Sequence, residues 1–244
     1  MERISPRICD SPAISSASNR APTSGSSRYE INALSRGSSV TTGATGATGA
    51  AGAAGAGGSK ITELSICGAG GTSLCKIGAI GPGGGWIFFV DYNDQYAGFN
   101  YLEAAPSSCE TTRAWSSDTT NSLVAVTGWA ARAVGSGQAN TTAMLANSGS
   151  YVRDTSGAAF YANALANGVP GGCVTSKDDW FLGSLGEMKL MYDNLQGLGG
   201  FVGTYYWSSS EDSANTAWAQ VFGYGYQFNS NKTLTYHVRP VRAF

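Results

Sequence analysis

The sequence carries little charge of either sign. Asp, Glu, Lys and Arg make up only 13% of its 244 residues, with 15 basic side chains against 16 acidic ones. Binding to duplex nucleic acid requires a basic stripe, so this near-neutral balance excludes that class of partner. No stretch of about 18 apolar residues occurs either, and the sequence therefore predicts no membrane-spanning helix.

The motifs of metal and catalytic sites are also missing. His237 is the only histidine and no Cys-x-x-Cys pair occurs, which argues against zinc. No Gly-x-Ser-x-Gly motif is present, so a hydrolase would have to depend on His237 within a strand. We therefore expect no metal, no cofactor and no enzymatic activity.

The first part of the chain has the composition of a disordered segment. Residues 1–42 are rich in Ser, Ala, Arg and Pro and show no apolar period, so they bury too little surface to offset the entropy of ordering. Residues 1–16 contain no apolar stretch of about seven residues and do not resemble a signal peptide. Either the start is misplaced or export follows another route.

Glycine recurs at every third position in residues 43–57, which read GATGATGAAGAAGAG. A collagen triple helix needs this period because only glycine fits at its axis. The run lacks proline and holds only about five triplets, so a flexible Gly/Ala linker and a collagen-like stalk both remain open. The stalk would make a homotrimer. In both cases residues 43–58 separate the head from a globular domain at residues 59–244.

Four of the five cysteines lie in the globular part, and an even number suits two disulfides in an exported protein. Cys67 and Cys75 are close together with glycines between them, so we predict a local loop. Cys109 and Cys173 would then pair across the fold. Free thiols are the alternative. Disulfides favour a cell-surface or extracellular location.

Hydrophobic patterns after residue 59 predict an α+β domain. A strand at 86–92 directly follows the Gly-rich turn at 80–85, which excludes a phosphate-binding loop because such a loop needs a helix after it. Further strands are predicted near Phe99–Ala104 and at 202–209, 217–223, 224–228 and 234–242. Helices are predicted at 137–148, 156–167 and 184–197.

The helix at 184–197 has the clearest signals. Ser184 and Glu187 match the Ser-x-x-Glu capping box, which explains Glu187 without a catalytic role, and Gly197 is a suitable stop. Its predicted apolar face consists of Leu185, Met188, Met191, Tyr192 and Leu195. In the helix at 156–167, the predicted apolar face holds Phe160, Ala164 and Leu165.

Several short sequence motifs of the chain resemble those of one family. They are IGPGGGWIFFVD (80–91), YLEAAP (101–106), DDWFLGSLGEMKLMYDNL (178–195), YYWSSSE (205–211), AWAQVF (217–222) and VRPVRAF (238–244). Together they resemble the C-terminal domain of bacterial collagen-like adhesins, the Lcl C-terminal family, over residues 64–244. Members usually have proline where this chain has Gly183, which weakens the start of the helix.

The resemblance implies a C-type-lectin-like fold, which is shared with formylglycine-generating enzymes. Their oxidase chemistry needs a reactive cysteine pair late in the fold, and no cysteine follows Cys173. Calcium-dependent lectins bind carbohydrate through motifs such as Glu-Pro-Asn, which this chain lacks. Related domains are variable proteins of diversity-generating retroelements, in which constant sequence motifs alternate with diversified positions near the C-terminus.

The C-terminal hairpin, at about 205–237, is the predicted binding surface because Tyr, Asn, Ser and Gly are the residues of adaptable paratopes. Strand alternation predicts that Trp218 and Phe222 face the core, as Trp207 does, while Ala219, Val221 and Gly223 face outward. We expect Arg239 or Arg242 to pair with Glu211 or another acid. The predicted ligand-binding residues are Asp212, Asn215, Ala219, Val221, Gly223, Tyr224, Tyr226, Gln227, Asn229, Asn231 and Tyr236.

These features predict a non-enzymatic surface protein that binds a protein or glycan ligand on another cell or surface. Its binding hairpin would be diversified, as in retroelement variable proteins. The alternatives are a collagen-like, glycan-binding adhesin without diversification and a phage receptor-binding protein.

Overall fold

The computed structural model describes residues 64–124, 128–146, 155–165, 173 and 175–244. All of them belong to a compact unit that spans Ala53–Phe244. The predicted head and the Gly-x-y run lie outside the described residues, so those predictions stay predictions. Within the described part of the chain, no helix is long and apolar enough to cross a membrane.

The described residues form a mixed α+β fold, as the sequence predicts, and their strands are divided between two sheets. The strands are β1 (Trp86–Val90), β2 (Tyr101–Ala104), β3 (Thr111–Ala114), β4 (Phe181–Leu182), β5 (Tyr205–Glu211), β6 (Thr216–Val221), β7 (Gln227–Asn231), β8 (Thr235–Val238) and β9 (Pro240–Ala243). The helices are α1 (Trp129–Arg132), α2 (Gly137–Leu145), α3 (Ala158–Asn163) and α4 (Leu185–Leu195). The sequence patterns predict neither β3 nor β4 nor α1, which are all short.

The two sheets divide the C-terminal strands between them. The first has the strand order β1-β2-β9-β4 and the second the order β3-β8-β5-β6-β7. The prediction of one strand at 234–242 is wrong, because the chain leaves the second sheet after Val238 and enters the first at Pro240. Proline has no N–H with which to continue a ladder. Strands β5 and β8 also run parallel, at the Tyr206–His237 pair, so the second sheet is not wholly antiparallel.

Three local predictions are corrected by backbone and packing. Residues 224–226 belong to a turn instead of a strand, because Gly225 has a φ of 79° and β7 begins only at Gln227. Helix α4 runs into a 3-10 turn, Gln196–Leu198, and the left-handed glycine after it is Gly199 instead of Gly197. Of the predicted apolar face of the helix at 156–167, Leu165 is buried as expected, whereas Phe160 and Ala164 are only half-buried. The buried residues of α3 are instead Ala158, Ala159, Tyr161 and Ala162.

Both predicted disulfides are present. Cys67–Cys75 closes a local loop with a sequence separation of 8 residues and a Cα–Cα distance of 5.0 Å. Cys109–Cys173 joins residues 64 positions apart, with a Cα–Cα distance of 4.9 Å. The second bond ties the start of β3 to the segment before β4. Cross-links of this kind stabilise mainly by restricting the unfolded chain, and more for longer loops.

Two buried arginines hold the C-terminal segment through ion pairs. Arg239 Nη1 lies 3.0 Å from Glu110, and Arg242 contacts both Glu103 (3.2 Å) and Asp179 (2.7 Å). The expectation that Arg239 or Arg242 pairs with Glu211 or another acid is confirmed for other acids, and both arginines make such pairs. Glu211 itself pairs with the buried Lys232.

Helix α4 begins with the predicted capping box. Ser184 Oγ accepts the N–H of Glu187, whose carboxylate accepts the N–H of Ser184 (2.8 Å) and that of Gly135 (2.8 Å). The apolar face is also as predicted, with Leu185, Met188, Met191 and Leu195 buried and Tyr192 half-buried. Burial raises the pKa of Glu187 to about 6, and its backbone hydrogen bonds limit the rise.

Glu187 should make the protein less stable as the pH rises. Its folded pKa of about 6 lies above the ordinary value of 4.5, so the folded state holds this proton more tightly than the unfolded chain does. The stabilisation is complete below pH 4.5 and is lost as the pH rises through 6, by about 2 kcal/mol. Urea unfolding at a series of pH values measures this loss.

The matched variant is Glu187→Gln, which cannot titrate. It should be less stable than the wild type overall and should lack this part of the pH dependence. An equal pH slope in the two proteins would show that Glu187 titrates normally. Carboxyl ¹³C NMR gives its pKa directly.

Candidate functional site

The register of the second sheet sorts the C-terminal residues onto two faces. Trp207 pairs with Ala219 across β5 and β6, and Ala219 pairs with Phe228 across β6 and β7. Tyr205 pairs with Val221 in the same way. Directly paired residues point to the same side of a sheet. Aromatic residues of β5 and β7 therefore lie on one face, with small residues of β6 between them.

Five aromatic residues form a connected surface on this side, which we call the aromatic face: Tyr205, Tyr224, Tyr226, Phe228 and Tyr236. Ring centroids lie 5.2 Å apart for Tyr205–Phe228, 5.0 Å for Tyr205–Tyr236 and 6.1 Å for Tyr226–Phe228. The exposed fraction is 82% for Tyr224 and 52% for Tyr226. The surface is thus broad, aromatic and open to solvent at its tip.

Glycines in the sequence FGYGYQF fix the turn that carries the two most exposed tyrosines. A Cβ atom on Gly223 would lie 2.7 Å from the carbonyl oxygen of Gly203, and one on Gly225 would lie 2.6 Å from the ring of Tyr192. Gly225 also has a positive φ, which side chains rarely tolerate. Gly223 therefore belongs to the framework although it is exposed, while Tyr224 and Tyr226 project from the turn.

Ala219 and Val221 do not face solvent, so this part of the predicted site is wrong. Both are buried, although they lie on the opposite side of β6 from Phe222, as alternation requires. The aromatic residues of the neighbouring strands flank them, and Phe228 and Tyr236 pack against the cluster that contains Ala219. Alternation gives the face of a residue but does not show what covers that face.

Trp207 and Trp218 were both expected in the core, and only one lies there. Trp207 is fully buried and donates from Nε1 to the carbonyl oxygen of Arg113 (3.1 Å). Trp218 is half-buried on the other face, where the guanidinium of Arg132 stacks 4.1 Å from its ring centroid.

The predicted polar residues lie apart from the aromatic face, and several have local roles. Asn229 Nδ2 donates to Asp212 (2.7 Å), and Gln227 Nε2 donates to the carbonyl oxygen of Leu185 (3.1 Å). Asn231 Oδ1 accepts the N–H of Thr233 (3.0 Å) in the turn before β8. Asn215 accepts a hydrogen bond from Ser213 Oγ (2.8 Å) in the turn before β6. Of this group, Asn215, Asn229 and Asn231 are exposed.

The lone histidine belongs to a structural network. His237 Nδ1 lies 2.7 Å from Glu110, which also pairs with Arg239 and accepts the Tyr206 hydroxyl (3.0 Å). Burial, together with the negative charge of Glu110, raises the pKa of Tyr206. Among the described residues, no group of three or more His, Cys, Asp or Glu side chains is placed to hold a metal ion.

Two members of the aromatic face, Tyr205 and Phe228, were missed at the sequence level. The alternation Tyr226-x-Phe228-x-Ser230 along β7 is a signal that could have found Phe228. The place of Tyr205 on the aromatic face depends on the register of β5 against β6. The sequence of β5 alone does not determine that register. A separate cavity of about 500 Å³, lined by Tyr96, Phe99 and Glu187 among others, contains no residue of the aromatic face.

Truncation of the exposed tyrosines should leave stability unchanged. Tyr224→Ala and Tyr226→Ala remove largely solvated rings, so we expect each to change the free energy of unfolding by about 0.5 kcal/mol or less. Trp207→Ala, on the same side of the sheet but fully buried, should cost about 3–5 kcal/mol. Urea denaturation of the three variants measures this difference. A large loss for Tyr224→Ala would place its ring in the core.

No protein-family model and no curated protein matches the chain.

Proposed function

We propose that this chain is a non-enzymatic binding protein that holds a protein ligand on the aromatic face of a C-type-lectin-like domain. The observation that carries the proposal is the turn at 222–226. Gly223 and Gly225 fix its backbone, and Tyr224 and Tyr226 stand out into solvent. Exposed, connected aromatic surface of this kind is costly in water unless a partner covers it.

The residue types favour a protein ligand over a small molecule. Tyrosine supplies a large and rigid contact area with two rotatable side-chain angles, so little entropy is lost on binding. Its hydroxyl adds a hydrogen bond at the rim of an otherwise apolar contact. The face spans three strands and the adjoining turn instead of lining a cavity, which suits the broad patches of protein interfaces.

The proposed fold also accounts for which positions are free to vary. The motifs WSSSE (207–211) and VRPV (238–241) are buried. The exposed positions are Asn215, Tyr224, Asn229 and Asn231. Substitutions at Tyr224 would change the contacts of the aromatic face, those at the three asparagines would change the exposed surface outside it, and both would leave the framework intact. A diversifying system of the retroelement type would act on these positions. The two disulfides support function at a cell surface or outside the cell.

Cell-binding measurements test the proposal. The labelled full chain should bind a target cell, and Tyr224→Ala combined with Tyr226→Ala should weaken that binding about tenfold or more, because both changes remove central contact area. Tyr92→Ala is the matched control, since Tyr92 is 56% exposed and lies after β1, outside the aromatic face.

Treatment of the cells identifies the ligand class. If the ligand is a protein, protease treatment abolishes binding and glycosidase treatment does not. If the double variant and Tyr92→Ala weaken cell binding equally, the aromatic face is not the ligand-binding surface. Loss of binding after glycosidase alone would replace the protein ligand with a glycan.

A further inference from the structure

A second cluster of exposed side chains lies on the opposite side of the second sheet. Helix α1 presents Trp129 and Arg132, which are three residues apart and so share one side of the helix. The Arg132 guanidinium lies 5.3 Å from the ring centroid of Trp129 and 4.1 Å from that of Trp218. Asp212 and Asn229 complete the set, which we call the Arg132 cluster.

The guanidinium of Arg132 is held in place mainly by ring contacts. Its only recorded ion pair within the described residues is with Asp212, where Nη2 and Oδ1 are 3.5 Å apart. That distance is too long for a good hydrogen bond. Arg132 Nε and Trp218 Nε1 are both buried and have no hydrogen-bond partner among the described residues. Because these two donors are closed to solvent, a ligand meets the Arg132 guanidinium through its Nη atoms.

Asp212 is a weak competitor for these donors. Its Oδ2 already accepts hydrogen bonds from Asn229 Nδ2 (2.7 Å) and Thr216 Oγ1 (2.9 Å). Glu211, at the end of β5, and Lys232, just after β7, are buried and paired with each other. Among the described residues, Arg132 is thus a partly exposed cation whose recorded counter-charge, Asp212, meets it only through the long Oδ1 contact of 3.5 Å.

Trp129 adds an apolar contact beside the cation, since 85% of its surface is exposed. We propose that the Arg132 cluster binds an acidic side chain of the protein ligand, with the carboxylate on the Arg132 guanidinium and the neighbouring ligand chain against Trp129. This inference rests on the proposed function and adds a second anchor to it. Trp and Arg are also the residues most often found as interface hot spots.

Physical chemistry favours a carboxylate at this position. The planar guanidinium fork matches the two oxygens of a carboxylate and forms paired, charge-assisted hydrogen bonds. Two rings already immobilise Arg132, so little side-chain entropy remains to be lost on binding. Asp212 repels an incoming anion, and its neutralisation should therefore strengthen binding.

NMR of the full chain tests the site with a defined probe. N-acetylglutamate amide should shift the indole N–H signals of Trp129 and Trp218, whereas N-acetylglutamine amide, its neutral match, should not. Arg132→Lys keeps the charge but loses the planar guanidinium, and we expect it to weaken binding of the glutamate probe about fivefold or more. Asp212→Asn should strengthen binding of the same probe about threefold.

The outcomes separate this inference from the proposed function. Tyr224→Ala combined with Tyr226→Ala should leave probe binding unchanged, because those residues lie on the other face. Equal shifts with the two amides, or none with either, would overturn the carboxylate site and leave the aromatic face untouched. Stronger shifts with glucuronate than with the glutamate probe would assign the cluster to a sugar and also overturn the inference.

Discussion

Three carboxylates, two of them fully buried and the third (Glu110) mostly so, tie the end of the chain to the rest of the domain, and the fold depends on them. Glu103, Glu110 and Glu211 pair with Arg242, Arg239 and Lys232, all of which lie within the last thirteen residues. Glu103 also accepts the N–H groups of Gly83 and Gly85, and Glu211 accepts those of Leu123 and Val124. Removing one partner from such a pair costs about 3–5 kcal/mol, because a buried charge is left uncompensated. Each carboxylate thus joins an early loop to the terminal strands.

This arrangement separates the framework from the surface within the same strands. Strand β6 buries Ala217, Ala219 and Val221 on one side, and Phe222, just after its end, packs in the cluster that contains Met188 and Met191 of α4. The rings carried by β5, β7 and β8 cover the small residues and form an outer layer, and Tyr224 and Tyr226 are its exposed tip. Substitution at the tip of that layer changes what the domain presents without loosening the ion pairs beneath it.

Features with local causes could be predicted from the sequence, and those that depend on distant pairing could not. The capping box at Ser184 and Glu187 lies within four residues, so its pattern is visible before any fold is known. The partner of Glu211 is Lys232, twenty-one residues later, and other cations were equally available by sequence. Pro240 could have indicated the break between β8 and β9, but its effect depends on two sheets meeting there. Trp129 and Arg132 gave no signal, since α1 is a single turn that meets Trp218 only in the folded chain.

Hydrogen exchange of the amides in β5–β9 tests most directly whether the framework is independent of its outer layer. The account predicts that a triple variant, Tyr224→Ala with Tyr226→Ala and Asn229→Ala, keeps the wild-type protection of these strands. Lys232→Met leaves the buried Glu211 carboxylate without its partner. We expect it to lower the protection of these amides by several orders of magnitude. Loss of protection in the triple variant would contradict the account, because the exposed residues would then be part of what holds the sheet together.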